Sequence, residues 1–415
     1  MRRRAAAAAA AIVVLAAACG GGTEEGAGAA ADDVRAAARQ LEAAHPDLFH
    51  HVAESAFRDR VEALARRAGE LDDDELLVEL MRLTALAGPR DGHTGIFPLD
   101  EGHRRPLHLL PLRLYRFPEG WFVVGEVGRR GLVGAKVLSL GGEPVARVAA
   151  RVAPLVPADN AWSRRARTAQ WLVVAEVLRG LGLEPRVEVE QHGVRRELRP
   201  APVAASSWRA AFGDLFHPMV PQGLPARPRP AYLARREEPS WTASLAAGRV
   251  AYGALNVMLG DVDGFARALG ALAAPAGVER VVLDLRHNPG GDNFTYVSLL
   301  ELLRSPRVDR PGRLVVLVGR TTFSAAANLV AELERTTGAR FVGEPPGGSP
   351  NLYGDPTAAR LPELGWNVNV ATVHWVKSHE RDDRVALQPD ERVLLTAADY
   401  FAGRDPVLEH VLGRR

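Results

Sequence analysis

Cysteine occurs once in the 415 residues, at Cys19. No internal disulfide can form, so the stability of the chain must come from a buried core. Lysine is almost as scarce: Lys136 and Lys377 are the only two, and arginine supplies the rest of the 52 basic residues. Catalysis by lysine therefore has few candidates. A formal net charge of only +2 lacks the basic excess of a nucleic-acid binder, and no nucleic-acid partner is expected. No His/Glu or Cys cluster has zinc spacing and no glycine-rich loop has the P-loop pattern, so neither a metal nor another cofactor is expected. No serine sits in a G-x-S-x-G motif, which argues against an α/β-hydrolase esterase. No internal repeat is found. What remains is ordinary for a globular protein, with 47% hydrophobic and 25% charged residues. The length leaves room for two or three domains.

The N-terminus reads as a targeting segment. Arg2, Arg3 and Arg4 precede an apolar stretch, Ala5 to Ala18, too short to span a bilayer as a stable helix. Leu15-Ala16-Ala17-Ala18-Cys19, followed by Gly20, Gly21 and Gly22, resembles the lipobox of bacterial lipoproteins, with Leu15 one place further upstream than usual. That resemblance implies lipidation at Cys19 and anchoring to a membrane facing the periplasm or the cell exterior. The plainer alternative is cleavage at an Ala-x-Ala site, with Cys19 incidental. Either way, export is expected, with residues 1–19 a signal peptide and 20–32 a Gly, Ala and acidic flexible tether.

Beyond the tether, residues 33–104 carry apolar residues at helical spacing, including Leu41, Phe57, Val61, Leu64, Leu76, Leu77 and Leu80. The acidic stretch ending at Asp74 suits a helix N-terminus. This region runs into a loop, Asp91-Gly92-His93-Thr94. Residues 105–217 form a second module of short strands. In it, Gly131 to Val145 resembles the strand-turn-strand of a PDZ domain. The Pro- and Arg-rich residues 218–240 read as a linker. Residues 241–415 then alternate strands and helices: Val250–Val257, Val262–Leu272, Val278–Leu285, Tyr296–Leu303, Arg313–Val318, Ala325–Thr336 and Arg340–Val342. The expected class is therefore α/β, with strands buried on both faces.

Two segments here carry chemistry. In Asp284-Leu285-Arg286-His287-Asn288-Pro289-Gly290-Gly291, a buried strand ends in a Gly-Gly turn whose backbone N–H groups can face a developing oxyanion. The next strand ends in Gly319-Arg320-Thr321-Thr322-Phe323-Ser324-Ala325-Ala326. Ser324 would stand at a helix N-terminus, where negative charge is favoured. An ordinary N-cap serine would stand there too.

Taken together, these segments resemble the tail-specific or C-terminal processing serine peptidases, which include the tricorn core and the interphotoreceptor retinoid-binding protein repeats. Gly343-Glu344-Pro345, Pro389-Asp390 and Gly403-Arg404-Asp405-Pro406-Val407-Leu408 fit further stretches of that family. The resemblance implies a crotonase- or ClpP-like ββα core preceded by an N-terminal helical region and a PDZ-like insert. It also implies that Ser324 is the nucleophile, with an oxyanion hole of backbone N–H groups from Gly290 or Gly291 and Ala325. Serine needs a base. The lysine of one branch of the family would fall on Ser349, and Lys377 comes too late. The histidine-using branch has a D-G-H-T loop, which points to His93, and a histidine suits proton transfer near neutrality. His287 is the rival, read as structural. The acid behind His93 falls on Asp383 by the family offset, with Asp382 and Glu380 beside it.

The expectation is thus an exported serine endopeptidase that takes peptide or protein substrates and works through an acyl-enzyme. Self-assembly into a homo-oligomer is left open. Two competing readings are a non-catalytic ligand or peptide binder on the same fold, and a serine hydrolase of non-peptide acyl groups.

Overall fold

The computed structural model describes residues 24–128, 131–213 and 229–413. Cys19 and residues 218–228 of the 218–240 linker lie outside these residues. The first helix, Glu24–Ala44, already occupies much of the stretch expected to be a flexible tether. Its Val34, Ala37 and Leu41 are buried at helical spacing, so the apolar face of this alanine-rich helix has a place to dock. Helices Glu54–Arg67 and Asp73–Thr84 follow. The acidic run supplies the expected start: Asp72 accepts from Glu75 N–H, and the Glu75 side chain returns to Asp72 N–H, a reciprocal capping box.

The next module is an antiparallel sheet built from Leu112–Phe117, Gly120–Glu126, Lys136–Leu140, Val187–Gln191 and Val194–Leu198. Helices Val145–Val152 and Ala161–Trp171 are inserted between its third and fourth strands. It shares one apolar core with the N-terminal helices and with a long hairpin, Asn351–Leu361 and Trp366–Val376.

The C-terminal sheet has, among the described residues, six strands. Their order is Glu391–Arg392, Arg340–Gly343, Leu314–Val318, Arg280–Asp284, Val250–Leu255 and Ser240–Leu245. All neighbours are parallel except the last pair. Side chains alternate across each strand. Val281, Leu283, Leu314 and Val316 therefore pack on helices Val262–Ala273, Val297–Arg304 and Ala325–Thr336. Val282, Val315 and Leu317 turn to the other face, where Val407, Leu408 and Val411 of the last helix cover them. Both faces are covered, which is why these strands read as unbroken apolar runs.

Motif residues away from the site hold the layers together. Arg286 is buried and bridges Asp284 and Asp405, which staples the C-terminal helix under the sheet end. Arg320 is buried on Glu344 and donates to Arg116 O, tying the parallel sheet to the antiparallel one. Asp390 accepts from Phe341 N–H.

Candidate active site

The strand Leu314–Val318 leads into a turn that neighbouring backbone pins at many points. Thr322 Oγ1 donates to Leu285 O at 2.7 Å and accepts from Gly319 N–H at 3.0 Å. Thr321 Oγ1 donates to Arg286 O and Phe323 N–H to Asn288 O. Ser324 emerges with φ 52° and ψ −129°. Such a conformation costs a non-glycine residue roughly 1–3 kcal/mol and persists only where the surroundings over-determine it. Its side chain makes no cap hydrogen bond to the helix it heads. It turns instead to His93, with Oγ 3.1 Å from Nε2. The geometry is therefore not that of an N-cap serine.

The Gly-Gly turn packs directly against this serine. Asn288, fully buried, donates to Leu255 O and accepts from Gly290 N–H at 2.9 Å. Gly290 has φ 109°, and a Cβ there would stand 2.5 Å from Ser324 Cβ. Gly291 is bridged to Met258, and a Cβ there would meet Met258 O at 2.4 Å. Only glycine fits either place. Because Asn288 takes the Gly290 N–H, that group is already committed. Gly291 N–H and Ala325 N–H have no backbone acceptor among the described residues.

His93 is placed by distant parts of the chain. Asp91 is buried; its Oδ1 accepts from the N–H groups of His93 and Thr94, and its Oδ2 from His45 Nε2 at 3.0 Å. His45 Nδ1 accepts from Asp47 N–H, so the His45 proton sits on Nε2. Asp159 accepts Gly92 N–H at 2.6 Å and Ser349 N–H at 2.9 Å. Arg167, also buried, donates to Gly92 O and Pro157 O. Its guanidinium lies 4.3 Å from the centre of the Phe323 ring, on which the His93 ring stacks at 4.6 Å. Finally, His93 Nδ1 is 2.7 Å from Tyr353 O. A carbonyl can only accept, so Nδ1 carries the proton and Nε2 presents its lone pair to Ser324.

Burial, reinforced by the Arg167 cation, lowers the pKa of His93 to about 4. The imidazole is neutral at physiological pH, the form a base requires. Burial lifts Asp159 to about 7 against the pull of its two N–H donors and Arg167. Burial alone would raise Asp91 as well, but the hydrogen bonds from His45 and Thr94 hold it below its ordinary value.

The structure therefore brings Ser324, His93, Gly290, Gly291 and Ala325 together, and corrects the expected acid. Asp383 is exposed, and the place behind His93 Nδ1 is held by Tyr353 O. Glu380 is exposed too. Asp382 is buried but committed to Arg384, whose hydrogen bonds hold its carboxyl well below the usual range. That loop is docked elsewhere, through Asn351 Nδ2 to His379 O and Asp382 O. Ser349 is buried and donates to Val385 O. Lys377 pairs with Glu332 at 2.9 Å, and His287 packs on Tyr232. Sequence reasoning missed Asp159, Arg167, His45 and Tyr353. The last acts through its backbone, which leaves no mark on residue type.

No group of three His, Cys, Asp or Glu side chains suited to a metal ion occurs among the described residues. No protein-family model and no curated protein sequence matches the chain. Among solved structures, mature CPAF aligns with a TM-score of 0.62 at 14% identity, over 94% of this chain and 96% of that one. Mature CPAF complexed with lactacystin aligns at 0.60 and 12%, over 94% and 98%. The photosystem II D1 C-terminal processing protease aligns at 0.39 and 16%, over 88% and 92%, too loosely to carry weight. The chain has the fold of mature CPAF along nearly its whole length.

Proposed function

We propose that this chain is a serine peptidase in which Ser324 is the nucleophile and His93 its base. The observation that carries this reading is the 3.1 Å contact between His93 Nε2 and Ser324 Oγ, made by a serine that declines to cap its own helix. As Oγ attacks a substrate carbonyl, its proton passes to Nε2. Nδ1–H keeps its bond to Tyr353 O, so the imidazolium is oriented by a backbone dipole and not by a carboxylate. The oxyanion is received by Gly291 N–H and Ala325 N–H, the latter at the positive end of the helix Ala325–Thr336. Loss of a proton from Nε2 to the leaving amine, then attack by water, completes the cycle. The whole-chain likeness to mature CPAF supports this reading at the level of fold.

The finer expectations belong to the same proposal. The C-terminal sheet and its helices are read as the ClpP-like core, and the antiparallel sheet of residues 112–198 as the PDZ-like insert. The N-terminal segment is read as an export signal ending at a lipidated Cys19, which predicts loss of membrane association in Cys19→Ala. Fluorophosphonate labelling of Ser324, lost in His93→Ala, tests the nucleophile. An unlabelled Ser324 at every pH would favour a non-catalytic binder. Labelling without cleavage of any peptide in a broad panel would favour a hydrolase of other acyl groups.

A further inference from the structure

Residues 45–51 form a turn tied to the loop that carries His93, and two of its histidines stand in opposite surroundings. His45 has an acceptor on one side of its ring and a donor on the other: Nε2 faces Asp91 Oδ2 and Nδ1 faces Asp47 N–H. A neutral ring satisfies both. His50 faces two carbonyls, with Nδ1 2.8 Å from Asp47 O and Nε2 3.0 Å from Pro89 O. A carbonyl oxygen only accepts, so the ring that makes both bonds carries a proton on each nitrogen and is the imidazolium. A neutral ring has a single N–H and gives up one of the two bonds, and histidine exchanges these forms near neutrality.

The second of these bonds holds the start of the base loop. Pro89 precedes Arg90, whose backbone stands at φ 67°, a left-handed conformation that persists only where its surroundings over-determine it. Arg90 N–H donates to Asp159 O and Arg90 O accepts from Tyr353 N–H, each at 2.9 Å. The His50 bond to Pro89 O adds a third tie one residue earlier. The His50 ring also lies 4.7 Å from that of Tyr353, whose carbonyl orients His93. The charged and titratable groups around His50 come from three segments. Its own turn supplies Asp47 and the rings of His45 and His51, at 6.1 Å and 6.5 Å. The base loop supplies Arg90, and the long hairpin supplies Tyr353 and the His374 stacked on it. Tyr353 Oη in turn donates to Asp47 Oδ2, so the hairpin, the loop and the turn meet at this ring.

We propose that His50 is a positioning residue for the base: as an imidazolium it ties Pro89 to the turn and so fixes the loop that presents His93 to Ser324. The inference rests on Ser324 being the nucleophile and His93 its base. The test measures kcat and KM of the full chain on a cleaved peptide at pH 6 and pH 9, with thermal midpoints at both. The parent should show a kcat about 10-fold lower at pH 9, the kind of loss that follows a misplaced catalytic group, with KM little changed. His50→Gln donates from one nitrogen and does not titrate. It should already be about 10-fold slow at pH 6 and lose most of the difference between the two pH values. A purely structural role would lower the midpoint and leave the pH ratio of kcat as in the parent. Asp159 also changes charge near pH 7, and its effect survives in His50→Gln, so a variant that keeps the parent's ratio overturns the proposal. So does a parent with equal kcat at both pH values, or a His50 ring that nitrogen NMR at pH 6 shows to lack a proton on either nitrogen. Fluorophosphonate labelling of the parent separates the two levels: a labelled Ser324 with an unaltered pH ratio in His50→Gln sinks the His50 role alone, and an unlabelled one sinks both.

Discussion

The two halves of the candidate site are built in different ways. The serine half is local: Leu285, Arg286, Asn288 and Gly290 hold the turn that presents Ser324, all from two neighbouring strand-turn-helix units. The histidine half gathers residues from across the chain, with Asp91 and His45 on one side, Asp159 and Arg167 on another, and Tyr353 behind the ring. Strain can be stored at the serine because adjacent parallel strands over-determine its backbone. The histidine sits in a loop, and a loop needs partners from elsewhere to be placed within catalytic tolerance.

Removing the reacting atom should have the largest effect. Ser324→Ala is expected to lower kcat by on the order of 10⁴–10⁶ with an unchanged thermal midpoint, measured on purified protein by peptide hydrolysis and thermal unfolding. Gly290→Ala strikes the local half without touching a reacting group. Its Cβ would overlap Ser324 Cβ, so a rate loss of about 10²-fold together with a lower midpoint is expected. A Gly290→Ala enzyme of full activity would show that the serine is not held by this turn.

Arg167→Met strikes the distant half. In the parent, His93 must be neutral to accept a proton, so kcat/KM should stay level from pH 7 down to about 5 and fall as pH approaches about 4. Without the Arg167 cation the imidazolium is less disfavoured. The acid limb should then move up, toward the ordinary histidine value of about 6.5, and activity near pH 5 should drop. A limb that stays in place would mean Arg167 serves packing only. The smallest effect is expected for Asp383→Asn, within about 2-fold of the parent. A large loss there would restore the carboxylate to the triad and remove the contrast between the halves.

How much could be read in advance follows the same division. The parallel strands were legible because both faces are covered and the runs are uniformly apolar. The helix Ala325–Thr336 was legible from its alanines and its position after a strand. The hairpin Asn351–Leu361 and Trp366–Val376 was not. Gly354, Asp355 and Pro356 interrupt its first strand, and residues 355–358 face solvent, so no alternation marks it. Asp383 was misplaced because an offset counted along the chain does not say where a loop docks. Here Asn351 and Arg384 draw that loop away from the histidine.

The residues alone determined the α/β layering and placed Ser324 and the Gly-Gly pair at strand-to-helix turns, which depend on short-range steric rules and on periodicity; their pairing with one another and with the His93 loop was implied by the family resemblance. The tertiary structure decided that Ser324 turns away from its helix cap to meet His93, that Asn288 claims the Gly290 N–H, and that a carbonyl stands behind the imidazole. Each of those is settled by which groups packing brings within hydrogen-bond reach, and a backbone carbonyl is the same in every residue.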